Sequence, residues 1–149
     1  MDMRSRSESA LVNKATVPLW TKQYTLICIA NLVLFTAHHM LTPTIPLYIR
    51  HLGGNEVMAG LGTTLFSIAA LVVRPFTGWI LDHKGRKFIT LLGMILTTVF
   101  FWGYNLAATV LIVLALRLCE GAAWGIADTS LGTVMADNIP RERFAEGMS

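Results

Sequence analysis

The chain has 149 residues, 54% of them hydrophobic and 14% charged, with a mean hydropathy of +0.56, which excludes an ordinary soluble domain. Its net charge of +3 and pI near 9.1 do not mark a nucleic-acid binder, because the basic residues lie between apolar runs rather than in a stripe with interleaved aromatics. Nucleic acid is therefore not an expected partner; a lipid bilayer is.

Residues 1–22 carry Arg4, Arg6, Lys14 and Lys22 among serines. This segment is too polar to span and has no compact apolar core with a small-residue cleavage site, so it reads as a tail and not a signal peptide. From 24 to 49 the chain is almost uncharged for longer than the roughly 20 residues that cross the hydrocarbon, which predicts a first span. Pro43 and Pro46 deprive the carbonyls of His39 and Thr42 of helical donors, so a kink or loosened turn is expected there. Backbone of that kind is tolerated at depth only where protein or a watery cavity faces it.

A polar connection, Arg50 to Glu56, precedes a second span over 57–80, interrupted by Arg74 and Pro75. Arg74 stands two turns before Asp82 and is expected to snorkel toward the cytoplasm. A third span is predicted over 88–106, ending in a short turn around Asn105, and a fourth over 108–136, with Arg117, Glu120 and Asp128 in apolar surroundings. The final segment, 137–149, is polar and is expected to be a truncated cytoplasmic loop. Cys28 is placed near one membrane face and Cys119 near mid-depth, too far apart to bridge, and both read as small buried thiols.

On one side of these spans lie Arg4, Arg6, Lys14, Lys22, Lys84, Arg86, Lys87, Arg141 and Arg143; on the other lies Arg50 alone. The positive-inside rule therefore puts both termini in the cytoplasm, and the even number of spans agrees. The expected fold is an all-α membrane protein of four transmembrane helices, multi-pass in the plasma membrane.

Between the second and third spans stands GWILDHKGRK, residues 78–87. From average usage, its five fixed choices, Gly78, Asp82, Gly85, Arg86 and Lys87, would recur by chance in roughly one of ten thousand chains of this size. Gly78 removes a side chain where another helix can approach closely. Asp82, one turn on and on the same face, can accept from the donors of a helix N-terminus. Gly85 permits a left-handed turn, and Arg86 and Lys87 hold the loop on the cytoplasmic side. Taken singly, these charges could belong to any cytoplasmic loop.

With this loop, the first span's NLVLFTAHHMLTPTIPLYIRHLGG, the RPFTG before the loop and RLCEGAAWG in the fourth span, the chain resembles the major facilitator superfamily of secondary transporters. Members of that family have twelve spans in two related halves, so the resemblance implies a fragment matching the first four helices. The missing partners would be the C-terminal helices of the same transporter. It also implies a gating role for Asp82 and Arg86, locking the two halves together on the cytoplasmic side, with Asp137 a candidate acidic partner for Arg86. His83 departs from the arginine or lysine usual at its position. RLCEGAAWG looks like the arginine and glycine signature of many proton-coupled members, which implies a small-molecule substrate and a proton as partners, and drug efflux as the preferred activity.

Ionisable groups at depth are functional candidates by default. Arg117 and Glu120, three residues apart and near mid-bilayer, share one face. Two readings stand side by side. In one the pair neutralises itself structurally; in the other Glu120 changes protonation as a cavity opens to each side. His38 and His39 titrate near neutrality when unperturbed, and since adjacent residues point about 100° apart, one of them is expected to face the cavity. Gly121 and Gly125 form a small-residue pair for close helix packing. Adjacent histidines without a matching ligand set hold no metal. No phosphate-binding glycine loop, nucleophile elbow or triad spacing occurs, so neither an enzyme nor a cofactor is expected. The competing reading is a self-contained four-helix membrane protein acting in interaction or assembly, its buried charges merely pairing helices; a stop codon directly downstream would favour it.

Overall fold

The computed structural model describes residues 21–139. The tail residues Arg4, Arg6 and Lys14, and Arg141 and Arg143 of the final segment, lie outside the described residues. Four α-helices follow in order: α1 (Lys22–His51), α2 (Glu56–Lys84), α3 (Arg86–Gly103) and α4 (Val110–Asp137). A one-turn 3-10 helix, Tyr104–Leu106, ends the third span. All four spans are long and apolar enough to cross a membrane. In hydrocarbon a backbone must satisfy its own hydrogen bonds, and a helix does so within one segment.

Local chemistry sets the helix starts. Thr21 Oγ1 accepts from the amide of Tyr24 at 3.2 Å, Asn55 Oδ1 from Met58 at 2.9 Å, and Thr109 Oγ1 from Ile112 at 3.5 Å. Each is a side-chain N-cap that removes one orphan donor. The break between α2 and α3 has no such cap and uses Gly85, whose φ of +88° is open to glycine and strained for other residues. Hydroxyls within the spans bond back to their own helix, as Thr36 does to the Leu32 carbonyl at 2.7 Å and Thr77 to Val73 at 2.9 Å.

Helix α1 continues through Pro43 and Pro46 to His51, and α2 continues through Pro75. The α1 stretch is packed against its neighbours. Ile45 and Ile49 are buried in an apolar cluster with Ala59, Tyr104, Ala107 and Val113, and Tyr48 donates its hydroxyl to the Ala107 carbonyl at 2.7 Å.

Helix α4 is the centre of the bundle, packed most extensively against α2 and then α3, and it supplies more of the buried described residues than any other helix. Its crossing with α2 is made possible by two glycines. A Cβ at Gly121 would stand 2.3 Å from the Phe66 carbonyl oxygen, and one at Gly125 would stand 2.7 Å from that of Ala70. Gly93 of α3 gives the same access to the Ala127 backbone. By contrast, a Cβ at Gly78 would meet nothing within 4 Å, so the close approach expected there is not made by any described helix. Both cysteines are free, and Cys119 is exposed on α4 rather than buried.

Candidate functional site

The site grows from one turn of α4. Arg117 and Glu120 lie on one face, their side chains 2% and 0% exposed, and Arg117 Nη1 donates to Glu120 Oε2 at 3.1 Å. The Tyr104 hydroxyl, delivered by the 3-10 turn, donates to the same oxygen. The Arg117 guanidinium also lies over the Phe66 ring of α2, 5.4 Å from its centroid, in a cation–π contact. One carboxylate oxygen thus gathers two donors. The other, Oε1, is buried without a hydrogen-bond partner among the described residues, as are Arg117 Nε and His38 Nδ1.

Of the two adjacent histidines, His38 is the one that enters this cluster. Its ring stacks on Trp124 at 4.0 Å and on Phe66 at 4.9 Å, and its Nδ1 lies 3.9 Å from Glu120 Oε1. His39 points elsewhere, exposed and beside Phe35 at 6.0 Å. A cavity of about 200 Å³ opens onto the cluster, lined by His38, Thr42, Thr63, Phe66, Ser67 and Arg117. Helices α1, α2 and α4 each contribute to it, and its wall carries a guanidinium, an imidazole, three hydroxyls and an aromatic ring.

Toward the basic end of the bundle the charges are wetter. Arg86, at the start of α3, pairs with Asp137 at the end of α4, their side chains 42% and 41% exposed. Asp82 and Lys87 are exposed, and Asp82 makes no hydrogen bond or ion pair among the described residues. It does not cap α3, whose N-terminus has no side-chain bond. His83 donates from Nδ1 to the Trp79 carbonyl at 2.8 Å, back onto its own helix. Arg74, expected to snorkel outward, instead joins α2 to α4, donating from Nη2 to Asp128 Oδ2 at 2.8 Å. The match is one of depth, because each lies eighteen residues after the first residue of its helix, Glu56 and Val110.

The family model of the Major Facilitator Superfamily matches residues 27–149, most of the chain. The chain belongs to that superfamily. Among curated relatives it is similar to the quinolone resistance protein NorA of Staphylococcus aureus, 24% identical over 114 residues, 76% of this chain and 29% of the relative. It is also similar to the multi-drug resistance efflux pump PmrA homolog of Lactococcus lactis subsp. lactis, strain IL1403, 28% identical over 136 residues, 89% of this chain and 33% of the relative. The chain spans about a third of the length of the curated relatives it matches. No solved structure matches it. As a superfamily member with four helices able to span a membrane, it is a multi-pass membrane chain, with buried charge at mid-bundle and exposed charge at the basic end.

Sequence reasoning missed Tyr104, Phe66 and Trp124. No local pattern singles them out, since an aromatic residue at a span end or on a helix face is ordinary in membranes. The Arg74–Asp128 pair did have a signal. Two opposite charges isolated in different spans are expected to seek each other, and equal depth, at about 1.5 Å per residue, narrows the choice. Among the described residues, no three His, Cys, Asp or Glu gather as a metal site.

Proposed function

We propose that this chain supplies the first four spans of a secondary transporter that moves a small solute by alternating access, coupled to protons, with efflux of drug-like molecules as its preferred activity. The observation that carries the reading is the Arg117–Glu120 pair, fully buried and bound to the edge of a cavity that α1, α2 and α4 share. A buried carboxylate beside a solute cavity is a group whose charge can be traded against solute occupancy. The names of the relatives, one a quinolone resistance protein and one a multi-drug efflux pump, support the choice of efflux.

In this reading the plasma membrane holds the chain with its N-terminus and the loop 78–87 in the cytoplasm; the excess of lysine and arginine on that side supports this orientation. Arg86 fastens α3 to α4 through Asp137. Asp82 stays exposed for a partner on helices beyond these four, which is how a loop of one half would lock to the other and reopen. Transport belongs to the complete protein.

The test is efflux from inverted vesicles carrying the complete transporter, driven by an imposed pH gradient and read with a fluorescent quinolone. Glu120→Gln is expected to abolish gradient-driven movement while leaving the protein in the membrane at its normal level. Asp82→Asn is expected to abolish transport with normal insertion as well. Undiminished transport by the first variant sinks the coupling role, and by the second the gate.

A further inference from the structure

Glu120 is held on one side only. Tyr104 and Arg117 both donate to Oε2, while Oε1 is buried and unpartnered. Facing it at 3.9 Å is His38 Nδ1, also buried and unpartnered. The other ring nitrogen, Nε2, lies 3.4 Å from Thr42 Oγ1. The Thr42 hydroxyl donates to the His38 carbonyl at 2.9 Å, so its oxygen remains an acceptor and places the proton of the neutral ring on Nε2. In that tautomer Nδ1 turns a lone pair toward Oε1. Two desolvated acceptors then oppose each other, which is unfavourable for both. A single proton converts the opposition into a charge-assisted hydrogen bond.

The surroundings pull the ring both ways: burial and Arg117 oppose a cationic ring, while the aromatic faces and Glu120 favour it. His38 is sandwiched between Trp124 and Phe66, with interplanar angles of 27° and 24°. Aromatic faces attract a cation, most strongly where water is excluded. The charged and titratable groups around it act in different senses. Arg117 of α4 repels an imidazolium and Glu120 attracts it. Tyr104 pins Oε2, so that Oε1 is the oxygen left to receive a proton. Helix α2 presents Phe66, Thr63 and Ser67, and the exposed His39 of α1 stands edge-on to the His38 ring, centroids 5.6 Å apart.

We propose that His38 and Glu120 together hold one exchangeable proton, between Nδ1 and Oε1, inside an aromatic clamp of Phe66 and Trp124, and that binding it draws α1 onto α4. The inference rests on the proton-coupled reading above and assigns its proton to a pair of residues on two helices. The proton enters from water in the cavity, forms one N–H bond shared toward the carboxylate, and returns to water on release; no other bond is made or broken. Closing the gap to the roughly 2.8 Å of such a bond moves the ring about 1 Å toward α4. Because His38 and Arg117 also line the cavity, that movement reshapes the space a solute would use. Proton and solute are then linked through geometry as well as charge.

The experiment uses the complete transporter in liposomes with Trp124 as its sole tryptophan, through Trp20→Phe, Trp79→Phe and Trp102→Phe and the same replacement of any tryptophan beyond residue 149. A protonated imidazole stacked on an indole quenches its fluorescence, so acidification is expected to dim Trp124 in one step. His38→Gln removes that step, and Glu120→Gln displaces its midpoint by about one pH unit or more, the scale on which a neighbouring charge acts. Tyr104→Phe, which keeps the carboxylate and frees Oε2, is the second variant should Glu120→Gln fail to fold, and it too displaces the midpoint. Emission that ignores pH, dimming that survives His38→Gln, or a midpoint unmoved in both Glu120→Gln and Tyr104→Phe overturns the proposal. None of these readings requires transport. If the complete transporter moves no solute under a pH gradient, the transport reading fails while the titration still decides the proton site.

Discussion

Arg117–Glu120 and Arg86–Asp137 use the same two kinds of charge and both involve α4, yet they live under opposite conditions. The first pair is 2% and 0% exposed, the second 42% and 41%. In the buried pair each group depends on its partner, because an ion left alone in a medium of low dielectric bears its full desolvation cost. In the wet pair, water and salt stand ready to replace either side. The buried pair therefore holds the bundle's centre hostage to its own integrity, and the wet pair can open and close at little cost. That suits the first to a coupled proton and the second to a loop that moves.

The contrast breaks most decisively at Arg117. Arg117→Leu leaves Glu120 buried with Tyr104 alone and is expected to destabilise the chain by about 3–5 kcal/mol, while the double variant Arg117→Leu, Glu120→Leu recovers most of that loss. Thermal unfolding in detergent, followed by helical circular dichroism, measures both. A single-variant loss below about 1 kcal/mol would erase the difference between the two pairs.

Tyr104→Phe removes a donor to the same carboxylate without changing its charge. It should cost about 1.5–3 kcal/mol, the range for a hydrogen bond to an ionised group. Gly121→Ala forces a Cβ against the Phe66 carbonyl, and a cost of about 1–3 kcal/mol is expected from overpacking. Gly78→Ala, which meets open space, should stay within about 0.5 kcal/mol of the parent. Equal losses at the two glycines would show that the α2–α4 crossing does not govern stability.

Small effects are also expected at the more exposed pairs. Arg86→Gln and Asp128→Asn should each change stability by less than about 1 kcal/mol, and by less still at high salt. Asp128 is the sharper case, since its side chain is 27% exposed against 50% for Arg74. A loss at Asp128→Asn approaching that of Arg117→Leu would move the pair into the buried class.

Much of this was legible in the sequence because it depends on local or one-dimensional physics. A run of about 20 apolar residues must span as a helix, the side bearing lysine and arginine sets the expected orientation, and residues three apart must share a face, which joins Arg117 to Glu120. The loop 78–87, with the motifs of the first, second and fourth spans, carried the resemblance to the family whose model matches residues 27–149. What the tertiary structure decided concerns groups distant in the chain, or choices that periodicity leaves degenerate. His38 rather than His39 meets Glu120 because of the rotation of α1, and Tyr104 reaches Glu120 because the 3-10 turn folds back over α4. Arg74 meets Asp128, 54 residues away, because α2 and α4 cross closely at Gly121 and Gly125. Hydrophobic periodicity says which residues can face inward; only the packing of one helix on another says what they face.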